Sequence, residues 1–232
     1  MDLIYIILIA IGVLIVLILA GLAVVNFSAD DLIDRFNQTS KYETSISPIE
    51  FAHSISSKFF KNSIKLEFTN NKLGDCFSSN GVLVLCTQYA HVNQLAGLAI
   101  CAHELGHAFQ FYFEKARMKK YVRKVKWSKF LSKLITPLLL GGLIFLILGQ
   151  LVVSLCIFAV TVAIFILAVA VKMSTIKIEK EASLKALELL QEFTYLSEDE
   201  LKIAKDFLDS AKLTYIADLL KIMLKWTGFT KK

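Results

Sequence analysis

The chain has 232 residues, of which 56% are hydrophobic, and it carries a formal net charge of +6. Soluble domains are usually about 45–50% apolar, so this composition argues against an ordinary soluble protein. The excess lies in two charge-free runs, Leu3–Val25 and Leu134–Val171. The four cysteines show no CxxC spacing, which indicates free thiols in a reducing compartment and not a disulfide framework. We therefore predict one compact domain combined with membrane helices.

The first run, Leu3–Val25, is long enough to cross a hydrocarbon core, which needs about 20 helical residues. A cleaved signal peptide is the alternative reading. However, no Lys or Arg precedes the run, whereas a signal peptide begins with a basic region. The sequence therefore predicts an N-terminal transmembrane anchor over residues 1–25.

The next segment predicts a helix followed by a pair of strands. Ser47–Glu50, with the sequence SPIE, is a capping box with proline at the first helical position, so a helix should run from there to about Lys61. Ile64–Thr69 and Val82–Cys86 alternate apolar and polar residues, and the Asn70–Asn80 connection is rich in Asn, Gly and Ser. This pattern predicts a β-hairpin with a long loop.

A helix predicted from Gln94 to about Met118 carries a histidine motif, because residues 101–110 read CAHELGHAFQ. His103 and His107 are four residues apart and share a helix face, so both imidazoles can bind one metal ion. Glu104 lies about 100° around the helix from His103, where it can accept a proton from a water molecule bound to the metal. The spacing thus predicts a zinc site of the hydrolytic kind, and a surface helix with two solvated histidines is the alternative.

Gly106 lies inside this helix, between the two histidines. Glycine in a helix interior costs about 1 kcal/mol relative to alanine, so a packing reason for its presence is expected. We predict that another part of the chain approaches the helix closely at Gly106.

The second apolar run, Leu134–Val171, is 38 residues long. As one helix it would extend about 57 Å, nearly twice the thickness of the membrane core. We predict a hairpin of two crossings with its apex at Gly149 and Gln150. Buried helices of a soluble core are the alternative, but few soluble cores need such a long uncharged run.

Basic residues surround the predicted hairpin. Nine Lys and Arg residues and no acidic residue lie between Lys115 and Lys133, and Lys172, Lys177 and Lys180 follow the run. The positive-inside rule then places both ends of the hairpin in the cytoplasm and the N-terminus outside. The pI near 9.0 also favours attraction to anionic lipid head groups. The basic stretch adjoins a membrane segment, so no nucleic-acid partner is predicted.

After the hairpin, a helix is predicted from about Thr175 through Phe193, and a second capping box at Ser197–Glu200 opens another helix. A catalytic zinc needs a third protein ligand, and Glu179 is the candidate because the hairpin returns the chain to the same side of the membrane. Ser183 lies on the same helix face, where it could orient a ligand. A solvated charge beside Lys180 is the alternative reading of Glu179.

Taken together, these features resemble the YugP-type membrane zinc metallopeptidases over most of the chain. The resemblance lies in the anchor, the sequence AHELGHA at Ala102–Ala108, the membrane hairpin, the Glu-x-x-Ala-Ser pattern at Glu179–Ser183 and the tail Leu213–Ala217. Related prenyl-protein and heat-shock peptidases use a Glu-x-x-x-Asp pattern whose Glu binds zinc. The resemblance therefore implies that Glu179 is the third ligand and that Ser183 stands in place of the Asp. Asp75–Ser78 departs from the family, which often has a histidine there.

The resemblance also implies a gluzincin-like domain, predominantly helical, with a small β-sheet over the active-site helix. Val82–Cys86 is the expected edge strand, so Val82 and Val84 could align an extended peptide; hydrophobic support of the helix is the alternative. The group that stabilises the oxyanion stays open among Tyr112, Tyr215 and His91.

The predicted protein is thus a membrane-bound endopeptidase with one zinc ion per chain, acting on peptides or membrane proteins. Its expected parts are the anchor over 1–25, a catalytic domain formed by 26–133 and 172–232, and the membrane hairpin over 134–171. The expected location is a bacterial plasma membrane with the active site on the cytoplasmic side. A zinc-binding scaffold without turnover and a hydrolase of non-peptide bonds are the alternatives.

Overall fold

Helices make up most of the residues that the structure describes, together with one small β-sheet. The computed structural model describes residues 31–70, 76–77 and 80–210. The predicted anchor over 1–25 and the tail at 213–217 lie outside these residues. Residues 31–121 and 176–210 belong to one compact unit, here called the sheet unit, and residues 122–175 belong to another, here called the hairpin unit.

The sheet unit is built mainly from helices. Their bounds are α1 over 31–39, α2 Pro48–Phe60, α3 Thr87–Ala90, α4 Leu95–Phe113, α7 Ile176–Phe193 and α8 over 198–210, and the first turns of α5 Lys115–Ile147 also belong to the unit. Both predicted capping boxes are confirmed. The Glu50 carboxylate accepts the Ser47 backbone N–H at 2.8 Å, and Glu200 does the same for Ser197 at 2.8 Å. Each serine hydroxyl accepts the glutamate's backbone N–H in return, which satisfies donors that a helix start leaves free.

The sheet contains β1 Lys65–Thr69, β2 Cys76–Phe77 and β3 Val82–Cys86 in the order β1-β3-β2. β1 and β3 are parallel, so the predicted β-hairpin between them is wrong. The connection over 70–81 is long enough to carry the chain back to the start of a parallel neighbour. It also contains β2, which pairs with β3 in the antiparallel direction.

The predicted edge position of β3 is wrong as well. Among the described strands, β3 lies in the centre of the sheet, with β1 on one side and β2 on the other. Val82 pairs with Lys65 and Val84 pairs with both Glu67 and Cys76. The backbone of these two valines is therefore occupied by neighbouring strands, and it does not offer a free edge to an extended peptide.

The core of the sheet unit surrounds α4. Leu95, Leu98 and Leu105 of this helix are fully buried, and they belong to one hydrophobic cluster with residues of α2, β3 and α7. Burying a leucine side chain stabilises a fold by about 1.5–3 kcal/mol, so a helix buried along its length is a rigid element. The two histidines of the motif are therefore held on a helix that is packed into the core of the unit.

At Gly106 the backbone of α7 lies close against α4. A Cβ atom at this position would lie 2.4 Å from the carbonyl oxygen of Ala182, which is far inside van der Waals contact. The predicted close approach is thus confirmed, and α7 is the element that makes it. The contact brings the first two turns of α7 beside the histidines of α4.

The hairpin unit consists of the rest of α5 and of α6 Leu151–Met173. The predicted apex is confirmed, because the chain turns between Ile147 and Leu151 and Gly149 has a φ of +75°. The arms touch where the Ser154 hydroxyl donates to the Gly142 carbonyl oxygen at 2.8 Å. Two helical stretches among the described residues, Lys115–Ile147 and Leu151–Phe193, are long and apolar enough to cross a membrane. The predicted third crossing lies outside the described residues.

Candidate metal centre

Three side chains of the sheet unit converge at the contact between α4 and α7. His103 and His107 come from α4, and Glu179 comes from the first turn of α7. Glu179 Oε2 lies 3.1 Å from His107 Nε2 and 3.6 Å from His103 Nε2. One ligand atom from each residue lies within 4.8 Å of the others. These three residues form a group that could hold a metal ion.

The remaining nitrogen of each imidazole is occupied by a polar neighbour. His107 Nδ1 lies 2.9 Å from Gln110 Oε1, and the Gln110 amide nitrogen donates to the Ile178 carbonyl oxygen at 2.9 Å. Because Gln110 Oε1 can only accept, the Nδ1 of His107 donates to it, and Nε2 is the nitrogen that faces Glu179. His103 Nδ1 lies 3.2 Å from the Ser183 hydroxyl oxygen. Both rings therefore turn Nε2 toward Glu179.

Tyr121 contacts the other oxygen of Glu179. This residue lies two turns into α5, and its hydroxyl donates to Glu179 Oε1. Its ring also stacks against His107, with 6.3 Å between centroids and 25° between planes. The two oxygens of Glu179 thus have different partners, the tyrosine at Oε1 and the histidines at Oε2.

Two members of the group, His107 and Glu179, are buried and interact electrostatically. Glu179 is 4% exposed and His107 is 8% exposed. Burial alone lowers the pKa of His107, but its hydrogen bond to Glu179 and the charges of Glu104 and Glu179 outweigh this and raise that pKa to about 9. A buried carboxylate facing two imidazole nitrogens is an arrangement that a divalent cation would satisfy.

The donor set fits zinc. Zinc binds imidazole nitrogen and carboxylate oxygen at about 2.0–2.2 Å in tetrahedral geometry, which places neighbouring ligand atoms about 3.3 Å apart. The two measured separations from Glu179 Oε2, 3.1 and 3.6 Å, lie on either side of that value. Each histidine nitrogen thus lies near the expected ligand spacing from Glu179 Oε2, and all three ligand atoms lie within 4.8 Å of one another.

The other candidates from the sequence have different surroundings. Glu104 follows His103 on α4, and its carboxylate makes no hydrogen bond or ion pair among the residues that the structure describes. The Tyr112 hydroxyl lies 2.7 Å from Ser63, and His91 stacks on Phe68, so neither contacts the metal group. Tyr215 lies outside the described residues.

Gln110 and Tyr121 were not predicted from the sequence. Gln110 could have been found, because it lies three residues after His107 on the same face of an otherwise apolar helix. No comparable signal marks Tyr121, which lies in the basic stretch between the motif and the hairpin. Its place beside Glu179 depends on how α5 leaves α4.

Comparison with known proteins agrees with this geometry. The model of a family described as "Putative neutral zinc metallopeptidase" matches residues 6–229, which is nearly the whole chain. No curated protein and no solved structure matches the chain. The matched range includes His103, His107 and Glu179. The chain belongs to this family of neutral zinc metallopeptidases.

Proposed function

We propose that this chain is a zinc-dependent endopeptidase attached to a membrane. The observation that carries the proposal is the convergence of His103, His107 and Glu179 beside Glu104. Three protein ligands leave one position of a tetrahedral ion for water or substrate, as in catalytic zinc sites. A structural site would instead be closed by a fourth protein ligand, and no fourth residue joins the group in the described part of the chain.

Glu104 is the proposed general base. Zinc in this site would make a water molecule acidic near neutral pH and would polarise the carbonyl of the scissile bond. The Glu104 carboxylate takes a proton from the water that attacks the carbonyl carbon. It then gives this proton to the amine nitrogen as the carbon–nitrogen bond breaks. A carboxylate that is already engaged in a hydrogen bond would serve this role less well, and Glu104 has none among the described residues.

Gln110 and Ser183 are proposed to orient the histidines. Each contacts the Nδ1 atom of one ring and so directs the Nε2 atom toward the ligand position. Removing a hydrogen bond to a metal-binding histidine typically lowers metal affinity or activity by about 10–100-fold.

A gluzincin-like fold, which the resemblance implies, stays part of this proposal.

Membrane attachment rests on the hairpin unit. Ile147 and Val152 near its apex are 83% and 75% exposed, and such an apolar surface is unfavourable in water. Exposed Trp127 and Phe130 precede the apolar run among basic residues, as is common where a helix enters the bilayer. We propose that the hairpin lies in a bacterial plasma membrane with both ends on the cytoplasmic side. The substrates would then be peptide segments of membrane-associated proteins.

The test uses the full chain purified in detergent. We expect about one zinc per chain, cleavage of casein or a peptide library, loss of cleavage with a chelator and recovery when zinc is returned. A panel of lipid and ester substrates is assayed with the same preparation. Zinc without any turnover would favour a scaffold, hydrolysis of esters alone would favour a non-peptide hydrolase, and absence of zinc binding would contradict the proposal.

A further inference from the structure

The two carboxylate oxygens of Glu179 contact different side chains. Oε2 faces the Nε2 atoms of His103 and His107, whereas Oε1 accepts a hydrogen bond from the Tyr121 hydroxyl. A carboxylate with both oxygens free can bind a metal ion through one or through both, or it can rotate away. The hydrogen bond from Tyr121 removes this freedom, because it holds Oε1 on the side away from the histidines.

Tyr121 is brought to this position by a break between two helices. Helix α4 ends before Glu114, whose backbone leaves the helical region at φ −123° and ψ 42°, and α5 begins at the next residue. Arg117 in the first turn of α5 then forms ion pairs with Glu114 at 2.6 Å and with Glu181 of α7 at 2.5 Å. Tyr121 follows Arg117 by four residues, so it lies on the same face, toward α7.

From this geometry we infer that Tyr121 is a positioning residue for the metal site. Its hydroxyl fixes Glu179 as a ligand through Oε2 alone and thereby keeps one position of the metal open for water. The inference deepens the proposed function and rests on it, because it assumes that zinc binds at His103, His107 and Glu179. Tyr121 touches neither substrate nor metal in this account, and it acts through Glu179.

The ring and the hydroxyl of Tyr121 can be separated experimentally. Tyr121→Phe keeps the ring that stacks on His107 and removes only the hydroxyl. The matched control is Tyr112→Phe, which also removes a tyrosine hydroxyl from the sheet unit. This hydroxyl is hydrogen-bonded to the Ser63 hydroxyl and does not contact Glu179. Zinc affinity of the full chain in detergent is measured by competition with a chromophoric chelator. We expect Tyr121→Phe to bind zinc about 10–100-fold more weakly than wild type, and Tyr112→Phe to bind it equally well.

Two further measurements test whether Tyr121→Phe changes zinc affinity through Glu179. A Glu179→Ala background keeps both histidines as ligands, and there the added Tyr121→Phe change should have no further effect on zinc affinity. The visible spectrum of the cobalt-substituted protein should also change in Tyr121→Phe and stay unchanged in Tyr112→Phe, since it reports the number of ligands. If Tyr121→Phe does not fold, 4-aminophenylalanine at position 121 restores a donor and should bind zinc within about threefold of wild type.

The possible failures are distinguishable. If the wild type binds zinc and Tyr121→Phe binds it with the same affinity and the same cobalt spectrum, the inference is overturned and the proposed function stands. Unchanged zinc affinity with a lower kcat would also overturn it, since the hydroxyl would then act on the substrate. An equal loss of affinity with and without Glu179 would show a general structural role and would overturn it too. If the wild type binds no zinc, the proposed function itself fails.

Discussion

Gly106 and Ala182 lie in backbone contact, and this contact sets the distance between the two helices that carry the metal ligands. A Cβ at Gly106 would lie 2.4 Å from the Ala182 carbonyl oxygen and 3.1 Å from its Cα. Both neighbours are backbone atoms, which cannot swing aside as a side chain can. Glu179 is one turn before Ala182 on α7, so its approach to His103 and His107 depends on this contact.

Gly106→Ala should therefore destabilise the sheet unit and weaken zinc binding. Alanine is favoured over glycine in a helix by about 1 kcal/mol, but overpacking against a backbone costs about 1–3 kcal/mol and moves α7 away. Thermal unfolding and zinc competition measure the two effects. Gly141→Ala is the control, because a Cβ there meets no atom within 4 Å and only the gain in helix propensity remains. Equal behaviour of the two variants would contradict the role of the contact.

Zinc affinity should rise with pH up to about pH 9. Glu179 and Glu104 raise the pKa of His107 to about 9, so at lower pH a proton occupies the nitrogen that the metal needs. Binding must release that proton, and the apparent affinity should increase about tenfold per pH unit below pH 9 and then level off. Competition titrations between pH 6.5 and 9.5 measure this slope. An affinity that levels off near pH 6.5 would show that His107 keeps an ordinary pKa.

Replacing Gln110 should separate its two hydrogen bonds. Gln110→Leu loses both the bond to His107 Nδ1 and the bond to the Ile178 carbonyl, so zinc affinity should fall about 10–100-fold and stability by about 1–3 kcal/mol. Gln110→Glu keeps an acceptor for Nδ1 but has no donor for Ile178. It should bind zinc better than Gln110→Leu while sharing part of its loss of stability. Zinc competition and chemical unfolding of both variants test this.

Thiol labelling at the hairpin apex tests whether the hairpin crosses the membrane completely. Gln150→Cys, in a background without other cysteines, should react with an impermeant thiol reagent only from the non-cytoplasmic side. Lys172→Cys, at the end of the hairpin that we propose to be cytoplasmic, should react only from the cytoplasmic side, which provides the matched position. Labelling of Gln150→Cys from the cytoplasmic side would show that the hairpin does not cross.

Local sequence signals predicted the parts of the fold that depend on neighbouring residues. The two capping boxes, the turn at Gly149 and the close approach at Gly106 each follow from a few adjacent positions, and each is present. The histidine spacing likewise defines a face of α4 without any knowledge of the rest of the chain. These signals were sufficient for α2, for the start of α8 and for the two histidines of α4. The helix predicted from Gln94 to about Met118 instead ends at Phe113, and Glu179 followed from the family resemblance.

The sheet and the outer contacts of the site could not be predicted in the same way. Alternation along β1 and β3 shows that they are strands, but the direction of their pairing depends on the path of the connection over 70–81. The predicted edge position of β3 was wrong for a similar reason. β2 is only two residues long, and its pairing with β3 is not marked by any local pattern. Tyr121 reaches Glu179 only because α5 begins after a break at Glu114, and no local pattern predicts that angle.

The most direct test of the account compares wild type with Glu104→Gln in zinc content and peptide cleavage. We expect Glu104→Gln to keep about one zinc per chain, because His103, His107 and Glu179 stay intact. It should lose at least about 10²-fold in kcat, because a neutral amide cannot accept the proton. Loss of zinc together with activity would make Glu104 a part of the metal site and not the base. Cleavage by Glu104→Gln at the wild-type rate would contradict the account.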